Sequence, residues 1–171
     1  DAKDQTWIFN PVPDFNWGLN VQLGYKNFDL SMFFQGVCGV DVYNNQKFQT
    51  DFWSLTDAGS NKGNRMLGAW TEDNTSSKIP ALTTNNTGDE GRASTYFVEH
   101  GNWMKLRTLQ LGYNFSDSLL KKLHMTSARV YVSGQNLFTW KSSSFTISDP
   151  ENPNWAYPHS SSVSFGLQLS F

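Results

Sequence analysis

The stretch Ser162-Val163-Ser164-Phe165-Gly166-Leu167-Gln168-Leu169-Ser170-Phe171 decides the fold. Every second residue is apolar, and the residues between are Ser, Gly or Gln. This period of two predicts a β-strand with one apolar face and one small, uncharged polar face. A transmembrane β-strand of about 9–11 residues has this length and this alternation of lipid-facing and lumen-facing side chains. The stretch therefore predicts the closing strand of a membrane β-barrel.

The composition narrows the class of protein. Thirteen Lys+Arg against 15 Asp+Glu give a net charge of −2, so nothing favours nucleic acid as a partner. Aromatic residues reach 15%, whereas charged residues, at 16%, lie below the usual quarter. No apolar run approaches the roughly 18 residues of a transmembrane helix. Cys38 is the only cysteine, which excludes an internal disulfide and a multi-cysteine metal site.

The same alternation predicts four further strands. Phe15–Tyr25 forms the first, and a short turn at Lys26-Asn27, where Asn tolerates positive φ, leads into a return strand from Phe28. The third strand, about Tyr96 to Phe115, alternates only in its later half, so we expect a bulge or bend near Glu99 to Asn102. The fourth strand runs from Ala128 to Trp140.

The connections differ greatly in length. Residues 37–95 and 141–159 are long and polar, and the first of them is expected to contain a short helix from Gln46 to Leu55. Residues 116–125 form a short turn with one helical turn capped by Ser116 or Asp117. In membrane barrels the short turns are periplasmic and the long loops extracellular. Five strands cannot close a barrel, because unpaired edges are not tolerated in lipid, so a larger barrel is expected.

Five blocks of the chain form a set: residues 28–37 (FDLSMFFQGV), 103–113 (WMKLRTLQLGY), 129–140 (RVYVSGQNLFTW), Asp149-Pro150-Glu151 and Tyr157-Pro158. These blocks resemble the end of the SusC/RagA-like TonB-dependent outer-membrane transporters. They occur in the family's order and spacing and together cover nearly all of the chain.

The resemblance implies that residues 1–171 are an all-β, C-terminal segment of a transmembrane antiparallel barrel with long extracellular loops. The segment would supply about the last five of 22 strands. It implies the outer membrane of a Gram-negative bacterium, and import of oligosaccharides or peptides driven by TonB. A SusD-like surface lipoprotein is the implied partner. The plug, the TonB-contacting segment and the signal peptide would precede residue 1.

Alternate residues of the last strand resemble the signal that the outer-membrane assembly machinery reads: Phe165, Leu167, Leu169 and Phe171. A strand with one apolar face can pair with an open barrel edge by β-augmentation. The alternative is that these side chains only face lipid.

The sequence offers no catalytic constellation, so we expect no enzyme, no cofactor and no metal. His100, His124 and His159 lie in separate connections, and no zinc-protease, nucleophile-elbow or phosphate-loop motif is present. Asp57 to Gly63 only faintly resembles a calcium loop, because its acidic positions do not fit.

Three loop aromatics are the candidates for contact with a ligand or partner: Phe52, Trp53 and Trp70. They could stack on a sugar, bind the lipoprotein or pack within their own loop. An alternative function for the whole chain is a secreted all-β carbohydrate-binding or adhesive module. Such a module would be a soluble monomer, whereas a barrel segment needs detergent and the rest of its barrel.

Overall fold

A computed structural model describes residues 5–52, 61–85, 89–152 and 157–171 of the chain. None of the helices in these ranges has the length and apolar character that a transmembrane helix requires. Short 3-10 turns cover Asn64–Gly68 and Thr95–Phe97. The regular elements are β1 (Phe15–Tyr25), β2 (Phe28–Cys38), β3 (Asp41–Tyr43), α1 (Lys47–Asp51), β4 (Val98–His100), β5 (Trp103–Asn114), α2 (Asp117–Lys122), β6 (Ser127–Lys141) and β7 (Ser162–Ser170).

The five long strands form one antiparallel sheet in the order β1-β2-β5-β6-β7, which confirms the five predicted strands. β3 and β4 form a separate two-stranded sheet. The predicted third strand was too long at its start, because residues Val98–His100 pair with β3 instead of continuing β5. The predicted helix is also shorter than expected: α1 ends at Asp51, and residues 53–55 lie outside the described ranges.

The register places like residues side by side across all five strands. One transverse row is Leu23, Leu30, Leu111, Val132 and Phe165, and the adjacent row on the opposite face is Gln22, Ser31, Gln110, Ser133 and Ser164. We call the first the outward face and the second the inward face. Leu23 is 57% exposed and Phe165 85% exposed, so no second layer of the described chain covers the outward face there.

The sheet has two different ends. At the turn end lie Lys26-Asn27 and α2, and at the loop end lie the two long connections. The left-handed residue of the β1–β2 turn is Lys26, with φ 52°, and not Asn27 as predicted. Asn27 is fixed by β5, because its carbonyl accepts from Asn114 N at 2.8 Å and its side chain donates to Asn114 O at 2.7 Å.

A bulge shifts the pairing in the middle of the sheet. Relative to β2, strand β5 has one extra residue, Arg107. β6 in turn places two residues, Asn136 and Leu137, opposite Arg107, and Asn136 takes φ 50°. A bulge or bend was predicted near residues 99–102, and the strand does break there, between β4 and β5, whereas the bulge at Arg107 was not predicted. Because one inserted residue reverses the alternation, Lys105 and Thr108 both belong to the inward face.

Candidate functional site

The two long connections pack into one cluster at the loop end, which we call the loop cluster. Its centre is Phe97, only 1% exposed, whose ring stacks on Phe48 at 4.4 Å between centroids. Further rings surround Phe97 at 5.4–5.7 Å: Tyr43, Phe52 and Tyr96. From the second connection, Phe145 and Ile147 are 3% and 0% exposed. The buried apolar centre of this chain therefore lies in its loops.

Glu99 joins the first connection to the second. Its Oε2 accepts from the backbone N–H of Thr146 at 2.8 Å, and its Oε1 accepts from the Thr146 hydroxyl at 2.7 Å. Asn44 donates to Glu99 at 3.0 Å, and the ammonium of Lys47 lies 3.1 Å away. Burial alone would raise the pKa of Glu99, but the bonds from Thr146, Asn44 and Lys47 together lower it. Glu99 is therefore an ionised, fully bonded carboxylate between two loops.

Asp51, at the end of α1, joins two further parts of the first connection. It accepts from Arg65 Nε at 2.8 Å and from the Tyr96 hydroxyl at 2.6 Å. Burial, and then the bond to Asp51, raises the pKa of Tyr96. Every buried side-chain polar atom among the described residues has a hydrogen-bond partner, so this cluster is fully satisfied.

The Asp149-Pro150-Glu151 turn is bound to the inward face of the sheet, in a contact that we call the latch. Lys105 Nζ, on β5, lies 2.7 Å from Asp149 Oδ1 and 2.6 Å from Glu151 Oε2. Arg107 also pairs with Glu151, and its Nε donates to Gln35 at 2.9 Å. The Lys105 side chain is only 2% exposed. The latch thus folds the second connection inward across the sheet.

Charge pairing decides the protonation of the latch. Burial raises the pKa of Asp149, but bonds from Lys105 and from the backbone N–H groups of His159 and Glu151 outweigh it and leave the pKa below its usual range. The pKa of Glu151 is lowered as well, because Lys105 and Arg107 outweigh its burial. Two cations therefore face two carboxylates that stay ionised through the neutral range.

Three ligand-type atoms of the latch, from Asp149, Glu151 and His159, lie within 4.8 Å of one another. The Lys105 ammonium already lies between the two carboxylates, in the position that a cation would take. We therefore assign no metal to these residues.

The predicted site residues are dispersed. Phe52 is 5% exposed and lies inside the loop cluster, whereas Trp70 is 41% exposed. Trp53 lies outside the described residues.

His100 pairs with Asp41 at 3.0 Å and His159 with Asp149 at 2.9 Å. His124 lies at the turn end with φ 57°.

The four predicted assembly residues lie on the outward face or at its end. Phe165, Leu167, Leu169 and Phe171 are 85%, 60%, 45% and 87% exposed.

Sequence reasoning missed the latch. Its signal was present as two cations, Lys105 and Arg107, within an otherwise apolar and aromatic strand, together with an acidic turn 44 residues later. Without the bulge at Arg107, their inward direction could not be derived.

A second charge pair lies on the inward face near the turn end. Arg129 bonds both carboxylate oxygens of Asp29, with Nε–Oδ1 at 3.0 Å and Nη2–Oδ2 at 2.5 Å. The pair crosses Gly112, where an added Cβ would meet Arg129 Nη2 at 2.4 Å. Glycine is required here because two charged side chains occupy the space above it.

No family model matches the sequence. TonB-dependent receptor P3 of Formosa agariphila is 32% identical over 189 aligned positions, which cover 99% of this chain and 18% of the receptor. TonB-dependent receptor SusC of Bacteroides thetaiotaomicron is 29% identical over 100% of this chain and 16% of SusC. The chain thus spans less than a fifth of the curated relatives that it matches.

Solved structures agree with these relatives. The RagAB peptide importer in its closed-closed state matches with a TM-score of 0.79 and 28% identity over 95% of this chain and 18% of that one. The open-open state of the same importer gives a TM-score of 0.78 at the same identity and coverage. In both sequence and fold, the chain matches a barrel segment of the SusC/RagA-like TonB-dependent family.

Proposed function

We propose that this chain forms part of an outer-membrane active transporter that imports oligosaccharides or peptides through a plugged barrel. Import is energised by TonB and assisted by a SusD-like surface lipoprotein. The single observation that carries the proposal is the uncovered apolar outward face, opposite a polar inward face, on a sheet that matches known members of the family over 95% of this chain.

The ends of the outward face support a membrane location. Phe28 and Tyr113 lie 4.9 Å apart at the turn end, and Phe138 and Trp140 lie 5.8 Å apart at the loop end. Trp and Tyr are preferred where a barrel crosses the two membrane–water interfaces. The turn end is then periplasmic and the loop end extracellular.

In this proposal the inward face and the loop cluster line the path that the substrate takes. Small polar residues dominate the inward rows, which suits a water-filled interior holding a plug. The latch brings the second outer loop over this interior. Of the two contact candidates that the structure describes, Trp70 is the exposed one, and it is kept as a contact for ligand or lipoprotein. Phe52 is assigned to packing within the loop cluster, because it is 5% exposed.

The proposal is tested in the producing organism with the full-length protein. Deletion of the gene should abolish uptake of one labelled substrate class, oligosaccharide or peptide, and the intact gene should restore it. A gene lacking the TonB-contacting segment should express normally and fail to restore uptake. Normal uptake of both classes after deletion would overturn the transport proposal. Recovery of residues 1–171 alone as a soluble monomer would favour the secreted binding module instead.

Trp70→Ala separates the two roles kept for Trp70. Loss of substrate binding with normal lipoprotein co-purification assigns ligand contact, and the reverse result assigns partner contact. Unchanged values for both would remove Trp70 from the proposal. Trp7→Ala, at an exposed tryptophan that precedes β1 and lies outside the two long connections, is the matched control.

A further inference from the structure

We propose that α2, with the two residues that follow it, anchors the sheet in the periplasmic leaflet of the membrane. In this anchor Leu119 and Leu123 enter the acyl region, and Lys121 and Lys122 contact phospholipid phosphates. The inference rests on the membrane location proposed above and adds a lipid-binding role that neither the relatives' names nor the barrel architecture assign to this turn.

α2 does not lie at an edge of the five-stranded sheet, so its exposure is not due to a missing neighbouring strand. The helix connects β5 to β6, and β2 and β7 flank these strands on either side. Leu119 is nevertheless 40% exposed and Leu123 56% exposed. Two exposed leucines one helical turn apart form an apolar stripe that the described chain leaves uncovered.

The backbone fixes the C-terminal end of this helix. The N–H of Met125 bonds to Leu120 O at 3.0 Å, and the N–H of His124 bonds to Lys121 O at 3.4 Å. These two bonds, with His124 at φ 57°, form a Schellman motif that ends the helix at Leu123. The helix therefore ends at a defined residue, with Leu123 one turn beyond Leu119.

The helix lies at the outward side of the sheet. Ala128 is paired with Leu169 and belongs to the outward face, yet it is only 8% exposed, whereas the next outward residue, Val130, is 38% exposed. α2 packs against β6, and its Leu120 is 7% exposed. The element that covers the start of β6 is therefore α2, and its exposed leucines continue the outward apolar surface.

Aromatic residues lead directly from the sheet to the helix. The Tyr113 ring lies 4.9 Å from Phe28 and 5.4 Å, edge-on, from Phe115, which precedes α2 by two residues. These rings mark the periplasmic interface of the proposed membrane. The leucine stripe thus begins where the hydrocarbon region ends, which favours lipid over a periplasmic protein as its occupant.

The part of the helix surface outside the leucine stripe carries two lysines. Lys121 and Lys122 are exposed and make no ion pair within the described residues. Helical spacing of about 100° per residue places Lys121 opposite the leucine stripe and Lys122 beside it. An apolar stripe with flanking lysines matches a phospholipid, because its acyl chains and its phosphate present the same two chemistries at the interface.

Spin labels on the full-length protein in phosphatidylethanolamine–phosphatidylglycerol vesicles test the depth of the stripe. Cys38→Ser removes the only cysteine of this segment, and any cysteine upstream is replaced likewise. A label at Leu123→Cys should be more accessible to oxygen than to a water-soluble nickel chelate. A label at Ser118→Cys, on the lysine side, should show the reverse.

A third label separates the two proposals. At Leu167→Cys, on the outward face, oxygen accessibility reports the membrane location itself. Lipid exposure at 167 with water exposure at 123 overturns the anchor and leaves the transporter intact. Water exposure at both positions overturns the membrane location as well. Protection of 123 from both reagents indicates a protein occupant and also overturns the anchor.

The phosphate contact is tested separately. Titration of phosphatidylglycerol into the detergent-solubilised protein, followed by native mass spectrometry, should give an apparent Kd about tenfold weaker for the double variant Lys121→Gln/Lys122→Gln. Lys78→Gln, an exposed lysine of the first outer loop, should leave the Kd unchanged. Equal values for the double variant and the parent protein would overturn the phosphate contact.

Discussion

Glu99 and Thr146 lie 47 residues apart in sequence, yet both carboxylate oxygens of Glu99 bond to Thr146, at 2.7 and 2.8 Å. One bond comes from the Thr146 hydroxyl and one from its backbone N–H, so both the distance and the orientation of Thr146 relative to Glu99 are fixed. The two outer connections therefore behave as one body. A loop cluster built in this way resists partial opening, because its two halves share a buried charge.

Replacing Glu99 with Ala should loosen both connections together. The change removes the carboxylate that pairs with Lys47, which is 8% exposed, and that accepts both bonds from Thr146, while Lys47 keeps its bond to Tyr96 O at 2.6 Å. We expect a local cost on the order of 2 kcal/mol, or roughly thirtyfold faster amide exchange in α1 and in residues 145–147. Hydrogen–deuterium exchange measures this. Glu72→Ala, at an exposed position of the same loop, is the control, and equal exchange in the two variants would contradict the shared-charge reading.

Replacing Lys105 with Met should release the latch. The substitution leaves Asp149, which is 4% exposed, without its ammonium partner, and breaking a buried pair in this way costs about 3–5 kcal/mol. The backbone amides of residues 148–151 should then exchange with solvent at least a hundredfold faster, whereas the amides of the sheet between Arg107 and the turn end should stay protected. Lys78→Met is the matched control. Unaltered protection of residues 148–151 would show that the turn is held by other contacts.

The latch should survive mild acid. The pKa of Asp149 is lowered from an ordinary value of 3.8, so its contribution is complete above about pH 4 and is lost only as the pH falls through the lowered value. A spin label at Ser160→Cys, in a Cys38→Ser background, should have the same mobility at pH 7 and pH 5 and gain mobility below about pH 4. With Asp149→Asn the mobility should be high throughout. A transition between pH 7 and pH 5 would contradict this assignment.

Gly112→Ala should destabilise the sheet, whereas Gly24→Ala should not. At Gly112 a Cβ would meet Arg129 Nη2 at 2.4 Å and Asp29 Oδ2 at 2.5 Å, but at Gly24 nothing lies within 4 Å. We expect a cost of about 1–3 kcal/mol for the first change and no loss for the second. Urea unfolding of the full-length barrel in detergent compares them. Equal midpoints would show that the charge pair moves aside at no cost.

Loss of Phe171 should reduce the amount of barrel that reaches the membrane. If the apolar residues of β7 also serve as the proposed assembly signal, deletion of Phe171 should lower the outer-membrane level severalfold without lowering synthesis. Tyr157→Ala, which removes an aromatic residue that is 95% exposed in the second loop, should have no such effect. Quantitative blotting of membrane fractions decides, and an unchanged level would leave these residues a lipid-facing role only.

The strands were predictable because the alternation of apolar and polar residues is a local feature of each strand's sequence. Alternation along β1 and β7 alone reveals which side chains share a face, and the register follows once Lys26-Asn27 and α2 fix the turns. The boundaries of β6, predicted at Ala128 and Trp140, differ by one residue at each end from the observed Ser127–Lys141.

The loops were not predictable, because their order depends on contacts between distant residues. Nothing local to Thr146 indicates that Glu99 will bind it, and nothing local to Val98 indicates that it will pair with Tyr43 rather than extend β5. For Phe52 the sequence left three roles open, namely contact with a ligand, contact with the lipoprotein and packing within its own loop, and its position beside Phe97 accounts for its burial. Loop aromatics in a sequence thus do not reveal whether they face outward or each other.

The extra residue in β5 has a consequence for the whole mouth of the barrel. If Arg107 were paired in the regular register instead of bulging, strict alternation from Leu109 would place Lys105 on the outward face, away from Asp149 and Glu151. The one-residue bulge therefore allows β5 to present apolar side chains on its outward face and cations to the acidic turn on its inward face.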